Sequence, residues 1–445
     1  MTMRHVVVMV TSSYPRFPGD TVGTFMEPIA RAVAERGHDV HVVAPWHPLV
    51  ERPAQESGVS FYFYRYAPRA FPHVFGYAGS LKADVRFRAS ALAVTPLAVA
   101  AGIRTAIRVA RMANATLMHG HWVVPGGFMA RVAAGGRLPL VISLHGSDVY
   151  VAERHGLARR AARTAFSRAA WITACSADLR DRALALGANR ERSEVLPYGV
   201  DTVRFAPSPD TRQATRQRLG LSGDGVSAGS GGLFPSGRTS IETGCRDSTI
   251  IFAAGRLVRK KGFEYLIDAA ARLAPRWPAM RVVIAGGGDL ADELKGRARD
   301  AGIAEAVTFL GAVSQSEMPA LLAAADIVAV PSVRDDSGNV DGLPNVVMEA
   351  LASATPLVTT PAGGIGSVVE HARTGLLVPE RDPEALAAAF ETLLADKELR
   401  ARLGQAARRE VCERYTWEQY AARLEAIYDL AVSRVAAKPA IERSG

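Results

Sequence analysis

The chain has 445 residues, of which 48% are apolar and 22% are charged. This balance is typical of a soluble globular enzyme and excludes a largely disordered chain, and the length favours two domains. Three cysteines without CxxC spacing argue against a disulfide framework or a zinc site, and they fit a reducing cytosol.

The net charge of +9 is unevenly distributed along the chain. Residues 1–200 contain 24 Lys and Arg against 13 Asp and Glu, whereas residues 201–445 contain 29 against 31. The surplus in the first half indicates contact with something anionic, such as a membrane surface or a phosphorylated acceptor. A generally arginine-rich composition is the alternative explanation.

The N-terminal segment is interpreted as a first β-strand. Its apolar run covers only Val6 to Val10 and has no small-residue cleavage site after it, so it does not fit a signal peptide. The longest uncharged run, Ala89 to Ile103, is about 5 residues short of a bilayer span and contains Pro96. We therefore expect no transmembrane helix and a cytoplasmic protein.

Both halves of the chain alternate short β-branched runs with helical patterns. The predicted strands are HVVVMV, DVHVVAP, ATLMHG, LPLVISLHG and WITACS in the first half, and TIIFAAG, RVVIAGG, AVTFLG, DIVAVPS and TPLVTT in the second. Continuous apolar strands that alternate with helices predict parallel sheets covered on both faces, and hence two doubly wound α/β domains. A Gly- and Ser-rich stretch, residues 222–248, is predicted to be a flexible insertion.

Ligands of doubly wound sheets bind beyond the carboxyl ends of the strands, so the loops there are the candidate sites. Gly23 lies in the loop after the first strand, where backbone N–H groups can approach a phosphate. His145 and Asp148 follow a strong strand, and we expect the imidazole to meet a sugar hydroxyl with Asp148 orienting it. His119 and His121 follow the preceding strand and fit either acceptor lining or simple packing.

Two loops of the second half suggest a diphosphate and a nucleotide. Arg256 and Lys261 flank a strand end and a helix start, as a two-pronged clamp and a point charge for a diphosphate. Their neighbours Arg259 and Lys260 are expected to point to solvent. A G-x-G-x-x-A pattern begins at Gly286, but the next strand ends without the acid that a dinucleotide ribose needs. We therefore predict a loop that lines a nucleotide pocket.

The segment DGLPNVVMEALA, residues 341–352, predicts a helix start that faces a ligand. Pro344 suits the first helical position, and Leu343 before it has no side-chain acceptor to cap the helix. The N–H groups of Asn345, Val346 and Val347 would then meet a diphosphate. Burying a carboxylate such as Glu349 is costly unless it is hydrogen-bonded, and ribose hydroxyls would serve. The alternative is that Asp341 caps the helix and Glu349 meets an arginine.

These motifs together resemble the retaining GT-B glycosyltransferases often called family 4, or glycosyl transferases group 1. The resemblance covers nearly the whole chain. It rests on the GTF loop at Gly23 and on GHDVHVVAP, LHGSD, LPYGVD, GRLVRKKG and DGLPNVVMEALASATPLVTTPAGG. The last two segments, in this order and spacing, are highly specific.

The resemblance implies two Rossmann-like domains that face each other across a cleft. Residues 1–200 would bind the acceptor, residues 201–415 would bind the nucleotide-sugar donor, and residues 416–437 would form a helix that crosses back to the first domain. The family usually needs no metal, so we expect neither a metal nor another cofactor. The expected partners are the donor, a sugar or lipid-linked sugar acceptor and the anionic inner membrane surface, without nucleic acid.

The resemblance also assigns roles to individual residues. Residues that match Arg256 and Lys261 bind the diphosphate, and the one that matches His145 faces the donor sugar. The second acid of a Glu-x7-Glu pair, here Glu349, holds the ribose. The first acid contacts the sugar and is here Asp341, one methylene shorter. The other expected donor-binding residues are Gly23, Asp148, Gly286, Gly342, Leu343, Pro344, Asn345 and Val346.

For the mechanism, we favour attack of the acceptor on the face that the leaving group departs from, with the departing phosphate accepting the proton. Double displacement is the alternative, and it needs a carboxylate next to the anomeric carbon, for which Asp341 is the only nearby candidate. Arg256, Lys261 and the helix start would stabilise the developing charge.

The favoured function is a hexosyltransferase that builds a cell-surface polysaccharide or glycolipid at the inner membrane face. Arg104, Arg108 and Arg111 fall on one predicted helical face, which suits peripheral attachment, although a solvated face is the alternative. A nucleotide-sugar-binding protein without transferase activity and a nucleotide-sugar isomerase are the competing functions. Nucleic-acid binding lacks a supporting motif.

Overall fold

The structure is a computed structural model that describes residues 3–20, 22–68, 73, 75–76, 81–82, 86–87, 89–221 and 248–436. The predicted flexible insertion lies outside the described residues, apart from Ser248. The chain divides into two compact units. We call Met1–Gly199 with Trp417–Gly445 the N-terminal domain, and Val200–Thr416 the C-terminal domain.

The N-terminal domain is built on an eight-stranded sheet. Its strands are β1 (Val6–Val10), β2 (Asp39–Pro45), β3 (Gln55–Glu56), β4 (Val59–Tyr64), β7 (Leu117–His121), β8 (Leu140–Leu144), β9 (Trp171–Ala174) and β10 (Ser193–Val195), while β5 (Leu81–Lys82) pairs separately with β6 (Arg86–Phe87). The strand order is β10-β9-β8-β7-β1-β2-β4-β3, and every pair is parallel except β3 with β4. The five strands predicted here are all present.

Helices connect these strands, as parallel pairing requires. They are α1 (Met26–Glu35), α2 (Ala89–Met112), α3 (Phe128–Ala134), α4 (Ser147–Arg154), α5 (Gly156–Phe166) and α6 (Ala177–Ala185), with a short π-helical turn at Val123–Gly127. Strand β1 is central, and Val7, Val8, Met9 and Val10 are fully buried, which explains its unbroken apolar run.

The C-terminal domain contains a six-stranded, wholly parallel sheet. Its strands are β11 (Thr249–Ala254), β12 (Met280–Ala285), β13 (Val307–Gly311), β14 (Ile327–Val330), β15 (Leu357–Thr359) and β16 (Leu376–Leu377). Its helices are α7 (Pro209–Arg218), α8 (Phe263–Leu273), α9 (Ala291–Asp300), α10 (Met318–Ala324), α11 (Asn345–Ala352), α12 (Pro383–Ala395) and α13 (Lys397–Arg414). The order β13-β12-β11-β14-β15-β16 is that of a doubly wound dinucleotide-type fold. The fold class expected from the sequence is confirmed.

The last helix, α14 (Trp417–Ala436), belongs to the N-terminal domain. It packs on α1, and Leu424, Ile427 and Tyr428 are fully buried. Polar contacts add to this packing: the buried His5 lies 2.8 Å from Asp429, and Arg36 pairs with Glu425. The helix is thus held by both an apolar stripe and charge pairs.

Helix α2 is longer than the uncharged run suggested. Among the described residues, Ala93–Met112 is the one helix with the length and apolar composition of a membrane span. One face packs on β1, β2, β4 and α3, where Ala98, Ala106 and Val109 are buried. The opposite face carries Leu97, 61% exposed, and further along it the exposed Arg104, Arg108 and Arg111. The helix is therefore amphipathic within its domain.

Candidate active site

In both sheets the strand order reverses at a central pair, β1 with β7 and β11 with β14. Crossover helices leave such a pair in opposite directions, which opens a crevice at the carboxyl ends of the strands. The predicted site residues of each domain follow these and the adjacent strands. The two crevices differ in their chemistry and are described separately.

The loops after β11 and β12 lie in close backbone contact in the C-terminal domain. A Cβ on Gly286 would stand 1.8 Å from the carbonyl oxygen of Gly255, and one on Gly288 would stand 2.6 Å from that of Leu257. The φ angles of Gly286 and Gly288, +142° and +157°, also favour glycine. The G-x-G pattern therefore brings these two loops together.

The loop after β11 presents two cations. Arg256 is exposed directly after Gly255. Lys261 extends its side chain across Gly255, where a Cβ would stand 3.2 Å from its Cε atom. Gly262, with φ +65°, allows the 3-10 turn Arg259–Lys261 to approach the carbonyl oxygen of Pro331 after β14. The turn is thereby fixed against both strands of the reversal point.

The prediction that Lys260 points to solvent was wrong. Lys260 is 8% exposed, and its Nζ atom lies 3.1 Å from Oδ1 of Asp341. The Nζ atom of Lys261 lies 2.7 Å from Oδ2 of the same carboxylate. Burial opposes ionisation of Asp341, but the two ammonium groups outweigh it and hold the pKa of this carboxyl well below its usual range. Arg259 is exposed as expected and pairs with Glu293 at 2.7 Å.

Helix α11 begins one residue later than predicted. Pro344 is the N-cap residue, and the N–H of Val347 donates to its carbonyl oxygen at 3.0 Å, so Val347 is not an orphan donor. The N-cap residue offers no side-chain cap, and the carboxylate of Asp341 pairs with Lys260 and Lys261 instead of capping the helix. Gly342, Leu343 and Pro344 are buried, whereas Asn345 is partly exposed. The helix start therefore keeps an N–H group, that of Val346, available for an anion.

A third glycine fixes the backbone before this helix. Gly363, in the loop after β15, has φ +61°, and a Cβ there would stand 1.9 Å from the carbonyl oxygen of Asp341. The two loops are in direct backbone contact, so a side chain at position 363 would displace Asp341.

Glu349 is 7% exposed, and no described residue donates a hydrogen bond to its carboxyl group. Burial raises the pKa of Glu349 to about 7, against an attraction from Arg204 that lowers it. Desolvating a carboxylate without hydrogen bonds is unfavourable, and the raised pKa expresses this cost. The alternative of a direct ion pair with an arginine is not seen here.

The crevice of the N-terminal domain contains neutral groups that hydrogen-bond to one another, although Nε2 of His121 is buried without a partner among the described residues. His145 follows β8, with one ring nitrogen 3.0 Å from Nδ1 of His121 and the other 2.7 Å from the hydroxyl of Tyr198. Burial lowers the pKa of His121 and of His145 well below 6.5. Both ring nitrogens of His145 therefore have protein partners in this arrangement, and its contact with a sugar stays a prediction.

His119 packs in the interior instead of lining a site. It is fully buried, and its two ring nitrogens lie 2.8 Å from the hydroxyls of Tyr428 and Ser143. Burial lowers the pKa of His119 to about 3. The packing alternative thus applies to His119.

Asp148 holds two loops together and does not orient His145. Its Oδ2 atom accepts the N–H of Val123 at 2.6 Å, and its Oδ1 atom accepts that of Gly146 at 3.1 Å. Burial raises the pKa of Asp148 to about 7, although these amide bonds favour the anion. These contacts link the loops that follow β7 and β8, and the donor-binding role of Asp148 stays a prediction.

Aromatic rings surround His145. The ring of Phe25 lies 4.7 Å from that of His145 and 4.8 Å from that of Tyr198, and Trp122 meets His145 edge-on at 4.9 Å. Gly23, with φ +68°, passes Ser13 so closely that a Cβ would stand 2.9 Å from its Oγ atom. The close approach to Ser13 explains why a glycine stands here, and its contact with a phosphate stays a prediction.

Two family models match the chain. The model described as Glycosyltransferase Family 4 matches residues 22–204, and the model described as Glycosyl transferases group 1 matches residues 243–410. The chain is 33% identical over 299 residues to a GDP-mannose-dependent alpha-(1-6)-phosphatidylinositol monomannoside mannosyltransferase of Mycolicibacterium smegmatis, covering 67% of this chain and 71% of that protein. The chain belongs to the group 1 glycosyltransferases.

A second relative of this glycosyltransferase is a D-inositol 3-phosphate glycosyltransferase of Jonesia denitrificans. It is 32% identical over 257 residues, which cover 56% of this chain and 54% of that protein. The matched segment thus spans about half the length of that relative, against the larger share of the mannosyltransferase.

Solved structures show the same fold. Anabaena Alr3699/HepE in complex with UDP has 20% identity and a TM-score of 0.71, covering 95% of this chain and 99% of that chain. Sucrose-phosphate synthase from Thermosynechococcus elongatus has 18% identity and a TM-score of 0.72, covering 97% and 100%. The glycosyltransferase therefore has the GT-B fold.

Sequence reasoning missed Lys260, Tyr198 and Trp122. Lys260 is the middle one of three successive basic residues, and the sequence does not show which of them turns inward. The 3-10 turn directs their side chains differently. Tyr198 lies 53 residues from His145, so no local spacing relates them. Trp122 gives a signal only in the structure, where its φ of +59° is unusual for a bulky residue.

Proposed function

We propose that this glycosyltransferase moves a hexosyl unit from a nucleotide-diphosphate sugar to a hydroxyl of a cell-surface polysaccharide or glycolipid, with retention at the anomeric carbon. The observation that carries the donor site is Glu349, a buried carboxyl without a hydrogen-bond donor among the described residues. Ribose hydroxyls would supply those donors. The uncapped start of α11 with Arg256 and Lys261 would then hold the diphosphate.

The first donor to test is GDP-mannose. A relative that is 33% identical is named as GDP-mannose-dependent, and its name places the acceptor among phosphatidylinositol mannosides. A second group of relatives is named for transfer to D-inositol 3-phosphate. An inositol-containing or lipid-linked sugar acceptor is therefore the first acceptor class to test.

A donor panel tests the function. The purified protein is incubated with GDP-, UDP- and ADP-sugars, with and without a membrane lipid extract, and nucleotide release and glycosylated product are measured. We expect release from one donor that depends on the extract and is abolished in Glu349→Ala. Donor binding without any transfer in a folded protein would contradict the transferase and favour a nucleotide-sugar-binding protein. Conversion of one nucleotide sugar into another would favour an isomerase.

The ion pairs of Asp341 support attack on the face that the leaving group departs from. Both carboxylate oxygens lie against ammonium groups, at 3.1 Å and 2.7 Å, which makes the group a poor nucleophile for double displacement. The departing phosphate would accept the acceptor's proton, and Lys261 and Arg256 would stabilise its charge. A slow fluorinated donor that traps a covalent sugar on Asp341 would contradict this mechanism.

We further propose that the reaction is metal-independent. The cations of Arg256 and Lys261 would offset the diphosphate charge that a divalent ion offsets elsewhere. Transfer measured in excess EDTA should equal that in added Mg²⁺. Loss of activity in EDTA, with recovery on adding Mg²⁺ or Mn²⁺, would contradict this part of the proposal.

A cytoplasmic location with peripheral membrane contact is proposed from helix α2. Its exposed face joins Leu97 to the exposed Arg104, Arg108 and Arg111, which is the composition of a helix that lies on an anionic surface. The acceptor is lipid-linked in this proposal, so such contact would place the enzyme near it.

Vesicle flotation tests the membrane contact. The wild type should float with phosphatidylcholine vesicles that contain phosphatidylglycerol, and less with phosphatidylcholine alone. The triple variant Arg104→Gln, Arg108→Gln, Arg111→Gln should lose this difference. The control triple Arg299→Gln, Arg402→Gln, Arg409→Gln, exposed residues of the C-terminal domain with the same charge change, should keep it. Equal loss in both triples would contradict a specific surface.

A further inference from the structure

The three basic residues of the 3-10 turn Arg259–Lys261 have different environments. Arg259 is exposed and bound to Glu293, Lys260 is buried, and the side chain of Lys261 is 15% exposed. The carbonyl oxygen of Lys260 also accepts the N–H of Val333 at 2.9 Å, which ties the turn to the segment after β14. The buried direction of Lys260 is therefore fixed by the backbone of the turn.

The carboxylate of Asp341 lies between two ammonium groups. Lys260 approaches one oxygen at 3.1 Å and Lys261 approaches the other at 2.7 Å. Among the described residues, these are the charged groups that face Asp341. One carboxylate thus has one more cation than it needs for a neutral pair.

The second cation, Lys260, matters because Lys261 has two possible anionic partners. In the proposed function the ammonium group of Lys261 binds the donor diphosphate. In the structure the same group pairs with Asp341. If Lys261 were the only partner, turning to the diphosphate would leave a buried carboxylate without a counter-ion, which is strongly unfavourable. Lys260 is buried at the other oxygen, so its ammonium group is a second counter-ion that does not depend on Lys261.

We propose that Lys260 is a positioning residue of the donor site, which keeps Asp341 ionised and in place while Lys261 is drawn to the diphosphate. This rests on the proposed transferase function. The backbone of Asp341 is already fixed by Gly363, so the two contacts together determine where this short acid presents its oxygens to the donor sugar. Arg259 has no part in this arrangement.

The proposal predicts a pH effect with a defined sign. In the wild type the two ammonium groups hold the pKa of Asp341 far below the assay range, so the acid stays ionised. Replacing Lys260 by methionine removes one of these groups, and the donor engages the other, so the pKa of Asp341 rises in the complex. Protonation of Asp341 at lower pH then removes a charge that the sugar requires.

The test compares Lys260→Met, Lys260→Arg and the exposed control Arg259→Met across pH 5.5 to 8.5. For Lys260→Met we expect kcat/KM for the donor to fall about 10-fold at pH 8.5 and about 100-fold at pH 5.5, the larger loss reflecting protonation of Asp341. Binding of GDP or UDP alone should change less than about threefold, because Lys261 still meets the diphosphate. Lys260→Arg should restore the wild-type pH profile, and Arg259→Met should retain it.

A uniform loss at every pH in Lys260→Met, or a loss of nucleotide binding as large as in Lys261→Met, would overturn the proposal. If the wild type transfers no sugar from any donor, the proposed function fails instead. The role of Lys260 is then measured without activity, by carbon NMR of Asp341 in the wild type and in Lys260→Met with GDP bound. A carboxyl pKa that is the same in both proteins would overturn the inference on its own.

Discussion

The two domains share a sheet topology and place side chains at the same point of it, yet the chemistry of their crevices is opposite. In the N-terminal domain His121, His145 and Tyr198 are neutral and hydrogen-bond to one another, while Nε2 of His121 has no partner among the described residues. In the C-terminal domain Glu349 has no hydrogen-bond donor among the described residues, and Asp341 is surrounded by cations. The difference supports the proposal that the charged crevice of the C-terminal domain binds the donor and that the neutral crevice of the N-terminal domain is a scaffold.

The largest expected effect comes from removing the cation that serves the diphosphate. Lys261→Met should lower kcat/KM for the donor about 10²–10³-fold, because developing charge on the leaving group loses a stabilising ammonium. Steady-state kinetics with the donor found in the panel measures this. Lys295→Met, an exposed lysine on α9, is the matched control and should keep wild-type rates. Equal losses in both variants would contradict a specific role.

A second, smaller effect should follow from crowding the backbone of Asp341. Gly363→Ala introduces a Cβ that would stand 1.9 Å from its carbonyl oxygen, so Asp341 must move. We expect about a 10- to 100-fold lower kcat/KM, since displacing a positioned group by about 1 Å costs this much. Gly19→Ala is the control, because it shares a positive φ, +87°, but meets nothing within 4 Å. Activity retained in both variants would argue against Asp341 as a sugar contact.

The pH dependence of stability tests whether Glu349 lies in the charged crevice without a hydrogen-bond donor. Its pKa in the folded protein, about 7, is raised above the value of 4.5 for a free glutamate, so the folded state favours the protonated form. The contribution of Glu349 to stability is then fully present below about pH 4.5 and is lost as the pH rises through about 7. Glu349→Gln lacks this fall and should unfold at higher denaturant concentration than the wild type at pH 8. The gain should be about 1–3 kcal/mol.

The same variant should bind nucleotides less well although it is more stable. Glu349→Gln replaces one of two carboxylate acceptors by an NH₂ donor, so binding of GDP should weaken about 10-fold at pH 8. The opposite signs of the two effects identify a site that trades stability for ligand binding. A variant that is less stable and also binds nucleotide normally would place Glu349 in the structural framework.

The smallest effect on donor kinetics is expected from a variant in the neutral crevice of the N-terminal domain. Asp148→Asn replaces one of two acceptor oxygens facing the N–H groups of Val123 and Gly146, so stability should fall by about 1–3 kcal/mol. Donor KM should stay within about twofold, because no charged ligand is assigned to this loop. Denaturant unfolding and donor kinetics test both statements. An increase in donor KM without a loss of stability would restore the donor-binding role first expected for Asp148.

Much of the fold was readable from the sequence because each central strand of a parallel sheet is buried on both faces. The apolar runs that became β1, β8, β11 and β12 therefore stood out without any partner being known. The short strands β3, β10 and β16 were not predicted, since two or three residues give no periodicity. Glu349 was predicted to be a ligand-binding residue because an acid in an apolar helix face is unusual without a ligand or an ion pair.

The contacts between site residues were harder to predict from the sequence than the strands were. Whether Lys260 or Arg259 turns inward depends on the contact of Gly262 with Pro331, 69 positions further along the chain. The hydrogen bonds of His145 depend on Tyr198 and His121, which lie next to it only because of the order of the strands in the sheet. The loop contact that involves Asp148 likewise depends on a backbone N–H group of another loop. Such pairings follow from tertiary packing, which local spacing does not encode.

The most direct test of the central claim is a calorimetric titration of GDP and 2′-deoxy-GDP at pH 8 into the wild type, Glu349→Gln and Asp148→Asn, repeated with the uridine nucleotides. In the wild type we expect the ribose nucleotide to bind about 10-fold more tightly than its deoxy form, because a lost hydroxyl leaves a buried acceptor unpaired. Asp148→Asn should keep this preference, and Glu349→Gln should lose it. A preference that survives in Glu349→Gln, or one that disappears in Asp148→Asn, would contradict the assignment of the donor to the charged crevice of the C-terminal domain.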